Sequence, residues 1–237
     1  MKRIHSSFAA HLALAALITI GVPAVASAQA DEAARARAGL DAAAAARFDA
    51  ALMRAEREQV PTESLVSKAL EGAAKRVPPD RIAAAVEQRL SLLVRARAAL
   101  QPDRSAARGR VAAEISAVAD ALQRGVDDDA VRQLRRDAPP EEPIGTSVHV
   151  LADLVQRGVP ADVALDVLAA WRARGNSAAD LTDVPAGIDR LVRQGMRPAQ
   201  AGATLAATLR GRVRLGNPGR GRGGPPPGQG NGPPPLP

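Results

Sequence analysis

Apolar side chains recur every three or four residues along most of the chain, which is the period of an amphipathic α-helix. Clear examples are the stripe of Ile82, Val86, Leu90 and Leu93 and the stripe of Val111, Ile115, Val118 and Leu122. No segment alternates apolar and polar residues over a useful length, as a half-buried strand would. The pattern therefore predicts an all-α fold of consecutive amphipathic helical hairpins.

Prolines and N-cap residues divide this pattern into separate helices. We predict one helix over 31–59, one from Pro61 or Thr62 to Val77, one capped by Asp80, one that starts at Pro102, and others over 127–136, 146–157, 160–174, 185–194 and 198–211. The segment 137–143 contains three prolines, which are excluded from helix interiors. We therefore predict a helical region over 29–136, a Pro-rich linker or hinge over 137–145, and further helical hairpins over 146–215.

Three helix ends share one motif, in which two polar residues are followed by Gly and then by an apolar residue. The glycines are Gly125, Gly158 and Gly195, and their spacings of 33 and 37 residues are those of helix-pair repeats. We predict that each glycine ends its helix in the left-handed conformation of a Schellman motif. The stretch Arg76-Val77-Pro78 lacks the glycine, so it is not expected to match. The alternative is that unrelated helices simply end at glycine.

The N-terminus has the layout of a secretory signal peptide. Lys2 and Arg3 precede an apolar stretch over 12–20, and Ala26 and Ala28 provide small residues before a cleavage site. We predict cleavage after Ala28, so that 1–28 is removed and the mature protein is periplasmic or secreted. The alternatives are a buried core helix or a retained membrane anchor, and an anchor would need about 20 unbroken apolar residues. With 29 Arg and 3 Lys, the chain has a composition typical of a high-GC bacterium.

Charge is distributed unevenly along the chain. The whole sequence has a net charge of +7, yet residues 29–189 have a net charge of −3. After Asp189 there are eight Arg and no acidic residue. The last 22 residues, 216–237, include 8 Gly and 8 Pro, which predicts a disordered tail because such a segment cannot bury enough apolar surface to fold.

This basic end is the one candidate binding site in the sequence. The residues concerned are Arg210, Arg212, Arg214, Arg220 and Arg222, and planar guanidinium groups pair well with phosphate. The segment 219–224 resembles the arginine–glycine segments of RNA-binding proteins. Nucleic acid is nevertheless not the expected partner, because the protein is expected to be exported and the tail has no aromatic residue for base stacking. An anionic envelope polymer or a membrane surface fits the same charge.

Few residues are suited to catalysis or metal binding. The absence of Cys excludes disulfides, thiolate zinc sites, iron–sulfur clusters and cysteine nucleophiles. His149, the one histidine of the expected mature chain, is predicted to be a surface or capping residue. Asp127-Asp128-Asp129 is predicted to cap a helix rather than bind calcium, and Trp171 is predicted to lie in the core. No known catalytic motif occurs, so we predict no enzyme activity, no cofactor and no metal.

Three hypotheses about function follow from these observations. The first is an exported helical scaffold or interaction protein of the bacterial envelope, with a partner protein or peptide in the grooves between helices. The second is a polyanion- or surface-binding protein that acts through its basic end. The third is an enzyme with an unrecognised carboxylate site. Whether the tail is a spacer or a binding segment is left open by the sequence.

Overall fold

The computed structural model describes residues 23–101, 108–175 and 179–211. All regular structure in these residues is helical, which confirms the all-α prediction. The helices are α1 (Pro23–Ala38), α2 (Ala42–Arg57), α3 (Glu63–Ala74), α4 (Pro79–Leu100), α5 (Arg108–Gln123), α6 (Asp128–Asp137), α7 (Gly145–Gln156), α8 (Ala161–Ala173), α9 (Val184–Arg193) and α10 (Pro198–Leu209), with a 3₁₀-helix over Ala179–Asp183. The predicted tail over 216–237, the helix start at Pro102, and residues 1–22 of the predicted signal peptide lie outside the described residues.

The described residues form two compact units, one ending at Gln123 and the other starting at Arg124. The first unit contains α1 to α5. Its core includes the predicted stripe of α4, where Ile82, Val86, Leu90 and Leu93 are all at most 3% exposed. Burying such side chains contributes on the order of 2 kcal/mol each, so α4 is the central helix of this unit.

The prediction of a single helix over 31–59 is wrong. The chain leaves the helical conformation after Ala38 and starts again at Ala42. Asp41 has an extended backbone, and its Oδ1 accepts a hydrogen bond of 2.9 Å from the amide of Ala44. This is the geometry of an N-cap, which satisfies an amide that has no partner within the helix. Asp41 therefore ends one helical pattern and starts another.

The second unit contains α6 to α10 and includes the predicted hinge, residues 137–145. This segment joins α6 to α7, and Arg135 donates hydrogen bonds to the carbonyl oxygens of Ala138, Pro139 and Glu142. The Glu142 carboxylate also lies 3.6 Å from the guanidinium of Arg172 on α8. Side-chain donors thus bind the backbone carbonyls of a proline-rich segment that cannot form a helix.

The predicted helix stops are confirmed in the second unit. Gly158 and Gly195 have φ angles of +81° and +92°. The amide of Val159 donates to the carbonyl of Leu154 at 3.1 Å, and the amide of Met196 donates to the carbonyl of Leu191 at 3.2 Å. These six-residue hydrogen bonds define the Schellman motif.

The same stop occurs without glycine in the first unit, so the expectation for Arg76 was wrong. Arg76 has a φ of +54°, and the amide of Val77 donates to the carbonyl of Gly72 at 3.0 Å. Gln59, with a φ of +52°, ends α2 in the same way. The hairpins α3–α4, α7–α8 and α9–α10 therefore share one short connection: a left-handed residue, an apolar residue and an N-cap.

Candidate functional site

An open groove lies between α3, α4 and α5 in the first unit. Its volume is about 250 Å³, below the ~300–1,000 Å³ of typical small-molecule pockets. Its lining is mostly polar and comprises Ser64, Ser67, Lys68, Glu71, Ala85, Gln88, Arg89, Leu92, Asp120 and Gln123. An open, polar space of this size suits a short stretch of peptide better than an enclosed metabolite.

Arg89 is the most buried charged group of the groove, with a side chain that is 11% exposed. Its Nε donates to Ser64 Oγ at 2.7 Å, and its Nη1 donates to Asp120 Oδ1 at 2.7 Å. Ser64 belongs to α3 and Asp120 to α5, so one guanidinium joins three helices. Charge-assisted hydrogen bonds of this length are among the stronger polar contacts in proteins and hold the group in one orientation.

A second charged cluster stands beside Arg89. Glu71 Oε2 lies 2.9 Å from Lys68 Nζ, and Glu71 Oε1 lies 2.5 Å from Lys75 Nζ. Hydrogen bonds from these two ammonium groups lower the pKa of Glu71 to about 2. The charged residues that line the groove are Lys68, Arg89, Glu71 and Asp120, so two cations and two anions balance there. Lys75 lies outside the lining and adds a second ion pair to Glu71.

A smaller cavity of about 190 Å³ lies between α1, α2 and α3. Glu32, Glu56 and Glu63 line it, and Glu63 Oε1 accepts a hydrogen bond from Gln29 Nε2. In the part of the chain that the structure describes, no group of acidic and histidine side chains is arranged to hold a metal ion. The lining of this cavity includes three carboxylates but neither arginine nor lysine, whereas the groove contains the largely buried guanidinium of Arg89. We therefore take the groove as the stronger candidate.

Of the five predicted polyanion-binding residues, the structure describes only Arg210; Arg212, Arg214, Arg220 and Arg222 lie outside the described residues. Arg210 is the C-cap of α10, and its Nη2 lies 3.1 Å from Asp166 Oδ1 on α8. This guanidinium is thus already paired with a carboxylate within the fold.

Three other arginines of the basic end are exposed: Arg190, Arg193 and Arg197, which we call the α9 stripe. Arg190 and Arg193 lie three residues apart on α9, whereas Arg197 follows the left-handed Gly195 and is the N-cap of α10, so the three share exposure rather than one helix face. The guanidinium of Arg197 hydrogen-bonds its neighbour Gln200. These three arginines belong to the basic end after Asp189 but are not among the five predicted binding residues.

The remaining candidate residues from the sequence, His149, Asp127 and Trp171, are accounted for by local contacts and burial. His149 is exposed, and its Nδ1 lies 3.2 Å from Arg124 Nη2, which confirms a surface histidine. Asp127 caps α6, because its Oδ1 accepts a hydrogen bond of 2.6 Å from the amide of Ala130. Trp171 is half-buried rather than fully in the core.

No protein-family model, curated protein or solved structure matches this chain. The site must therefore be interpreted from its own chemistry. Among the described helices, none combines the length and the apolar character that crossing a bilayer requires.

Proposed function

We propose that this protein is an exported, non-enzymatic helical scaffold of the bacterial envelope that binds a segment of a partner protein or a peptide. The observation that carries the proposal is the groove between α3, α4 and α5, with the guanidinium of Arg89 fixed by Ser64 and Asp120. Ser67, Gln88 and other polar side chains of the groove provide donors and acceptors for a peptide backbone.

The walls of the groove are held before any partner arrives. Arg47 on α2 pairs with both carboxylate oxygens of Glu87 on α4, at 2.9 and 2.7 Å. Arg97 on α4 donates to the Oε1 of Gln59 at 2.7 Å, where Gln59 ends α2. These contacts hold α4, whereas the contacts of Arg89 with Ser64 and Asp120 join all three walls. A groove that is ordered before binding loses less entropy on binding, which favours affinity.

Site-specific photo-crosslinking tests this proposal in the cell. Gln88 is exposed in the groove, whereas Ala84 is exposed on the same helix and does not line the groove. We expect benzoylphenylalanine at position 88 of the protein, expressed in its bacterial host, to form one discrete adduct. The same amino acid at position 84 should not form that adduct. Equal adducts at both positions, or none at position 88, would contradict the proposal.

Polyanion binding through the basic end is the second candidate function. It is favoured by the α9 stripe, whose arginines are exposed and lie in a stretch without acidic residues after Asp189. An anionic envelope polymer or membrane surface would be the ligand. The salt dependence of binding distinguishes this function from peptide binding, which depends on the first unit.

A further inference from the structure

We infer that Arg89 binds a carboxylate of the partner peptide, and that Asp120 occupies this guanidinium while the groove is empty. The inference rests on the proposed function, since it names the chemical group that the groove recognises. Its basis is the hydrogen bonding of Arg89, the exposure of Asp120 and the pairing of the surrounding charges.

Arg89 has hydrogen-bonding capacity left. Its Nε is used by Ser64 and its Nη1 by a single oxygen of Asp120, while Nη2 has no partner among the described residues. A guanidinium presents parallel N–H groups that match the two oxygens of a carboxylate. Asp120 uses only one of these N–H groups, so a second carboxylate that reaches both nitrogens of the terminal edge would make a better pair.

Asp120 is suited to leaving. Its side chain is 57% exposed, against 11% for Arg89, and Arg89 is its one partner in the described part of the chain. A carboxylate this exposed regains water when it leaves, and a ligand carboxylate in its place keeps the guanidinium paired, so the exchange costs less than loss of the pair. Arg89 remains held by Ser64 and keeps its orientation in the groove.

The charges around Arg89 are balanced, and they favour an anionic ligand because of how they are paired. Lys68 and Lys75 are both engaged by Glu71, and Asp120 is engaged by Arg89. A ligand carboxylate that replaces Asp120 would keep Arg89 paired, and the exposed Asp120 would return to water. A ligand ammonium would instead have to displace Arg89 or a lysine from its carboxylate.

Titration of the mature protein with tripeptides, followed through the Nε–Hε NMR signal of Arg89, tests the inference. The probes are an acetylated, amidated Ala-Glu-Ala, an acetylated Ala-Ala-Ala with a free C-terminal carboxylate, and an acetylated, amidated Ala-Gln-Ala without any carboxylate. We expect at least one carboxylate probe to shift the signal and the Gln probe to leave it in place. The first two probes distinguish a side-chain carboxylate from a terminal one.

For each of three variants we expect a specific change in probe binding. Asp120→Asn removes the competing carboxylate and should tighten probe binding about threefold or more. Arg89→Lys keeps the charge but loses the planar pair of donors, so binding, followed for this variant through the backbone amides of the groove, should weaken. Asp49→Asn breaks the ion pair with Arg37 between α1 and α2, away from the groove, and should change nothing. Circular dichroism would show that each variant is folded.

The opposite results would overturn the inference. These are equal binding of the Glu and Gln probes, weaker binding by Asp120→Asn, or unchanged binding by a folded Arg89→Lys variant. A discrete adduct at position 88 together with any of these results would mean that the groove binds a partner without carboxylate recognition. The failure of the inference is thereby distinguished from the failure of the proposed function.

Discussion

Gly202 lies so close to Val163 that a Cβ on Gly202 would be 2.7 Å from Val163 Cγ1. Gly202 is in α10 and Val163 in α8, and Val159 Cγ1 would be 3.0 Å from the same Cβ. Valine has a stiff χ1 angle and cannot easily rotate out of the way. The missing side chain therefore allows these two helices to approach each other.

We expect Gly202→Ala to lower the free energy of unfolding by on the order of 1–2 kcal/mol. Overpacking of about 1–3 kcal/mol outweighs the gain in helix propensity of at most about 1 kcal/mol. Gly187→Ala in α9 is the matched control, because its Cβ would lie 3.5 Å from a flexible leucine side chain, an ordinary contact. That substitution should stabilise the protein. Urea midpoints of both variants at an unchanged slope would check this, and stabilisation by both would contradict the close approach.

The helix pattern could be predicted because burial and periodicity are local properties. The predicted stripe of α4 is buried, as are Ile115, Val118 and Leu122 of the stripe in α5, and the glycine stops fall at the predicted residues. The break at Asp41 does not show in the apolar period, although Gly39 is a poor helix former and Asp41 a favoured N-cap residue. Its role depends on a side-chain hydrogen bond to the backbone, which the apolar pattern does not encode.

Two substitutions at the helix stops should change the stability of the protein in opposite directions. Gly158→Ala should destabilise the protein by on the order of 1 kcal/mol, because a side chain disfavours its φ of +81°. The contact with Pro198 at 3.6 Å is ordinary, so the cost comes from the backbone. Arg76→Gly, at an exposed position with a φ of +54°, should stabilise it by on the order of 0.5–1 kcal/mol.

Thermal unfolding of both variants would check these signs. A higher melting temperature for Gly158→Ala would indicate that Gly158 lies within a continuous helix. A lower melting temperature for Arg76→Gly would show that the arginine side chain stabilises the turn by more than its backbone conformation costs.

The groove could not be predicted from sequence, because its key contacts join distant positions. Arg89 is 25 residues from Ser64 and 31 residues from Asp120. On its own helix, Arg89 looks like one more solvated charge beside an apolar stripe. Only the packing of α3 and α5 on α4 turns it into a buried guanidinium with fixed partners. The sequence directed attention instead to the arginines after Asp189, where charge is visible without tertiary structure.

The pKa of Glu71 gives a pH prediction. Its pKa in the folded protein is about 2, against an ordinary value of 4.5, because Lys68 and Lys75 hydrogen-bond its ionised form. A lowered carboxyl pKa stabilises the fold above about pH 4.5, and that contribution is lost as the pH falls from about 4.5 to about 2. NMR titration of the Glu71 carboxyl should show a midpoint near 2 that rises in Lys75→Gln. Because the group is exposed, high salt should raise it too. A midpoint near 4.5 at low salt would contradict the double ion pair.

Cleavage after Ala28 remains a prediction from the sequence. In the structure, α1 starts at Pro23 and runs through this position to Ala38. We expect the intact mass of the protein purified from a Gram-negative periplasm to correspond to a chain that starts at Gln29. A full-length chain in the membrane fraction would show instead that the segment is retained. In either case, Gln29 and the residues after it remain part of α1.

The basic end has two parts, the α9 stripe and the four arginines after Gly211. The salt dependence of polyanion binding distinguishes between them. Counterion release on duplex DNA, used only as a convenient polyanion, gives a log–log slope of about −0.9 per phosphate neutralised. Arg210 is paired with Asp166 and is not counted. The three arginines of the α9 stripe then allow a slope of at most about −2.7, and the four arginines after Gly211 add at most about −3.6. Both parts together set a limit of about −6.3 for the mature protein.

Fluorescence anisotropy at several salt concentrations would measure these slopes for three forms: the mature protein, a version ending at Gly211, and the full chain with Arg190, Arg193 and Arg197 changed to Gln. The version ending at Gly211 keeps Arg210 and its ion pair, so its fold should be intact. If the α9 stripe binds, the version ending at Gly211 should still bind the polyanion with a shallow slope. The triple substitution should then make the slope of the full chain shallower by that amount. If only the residues after Gly211 bind, truncation should abolish affinity and the triple substitution should have no effect. Binding that does not vary with salt in any form would exclude charge as its cause, and the α9 stripe would then be an ordinary solvated face.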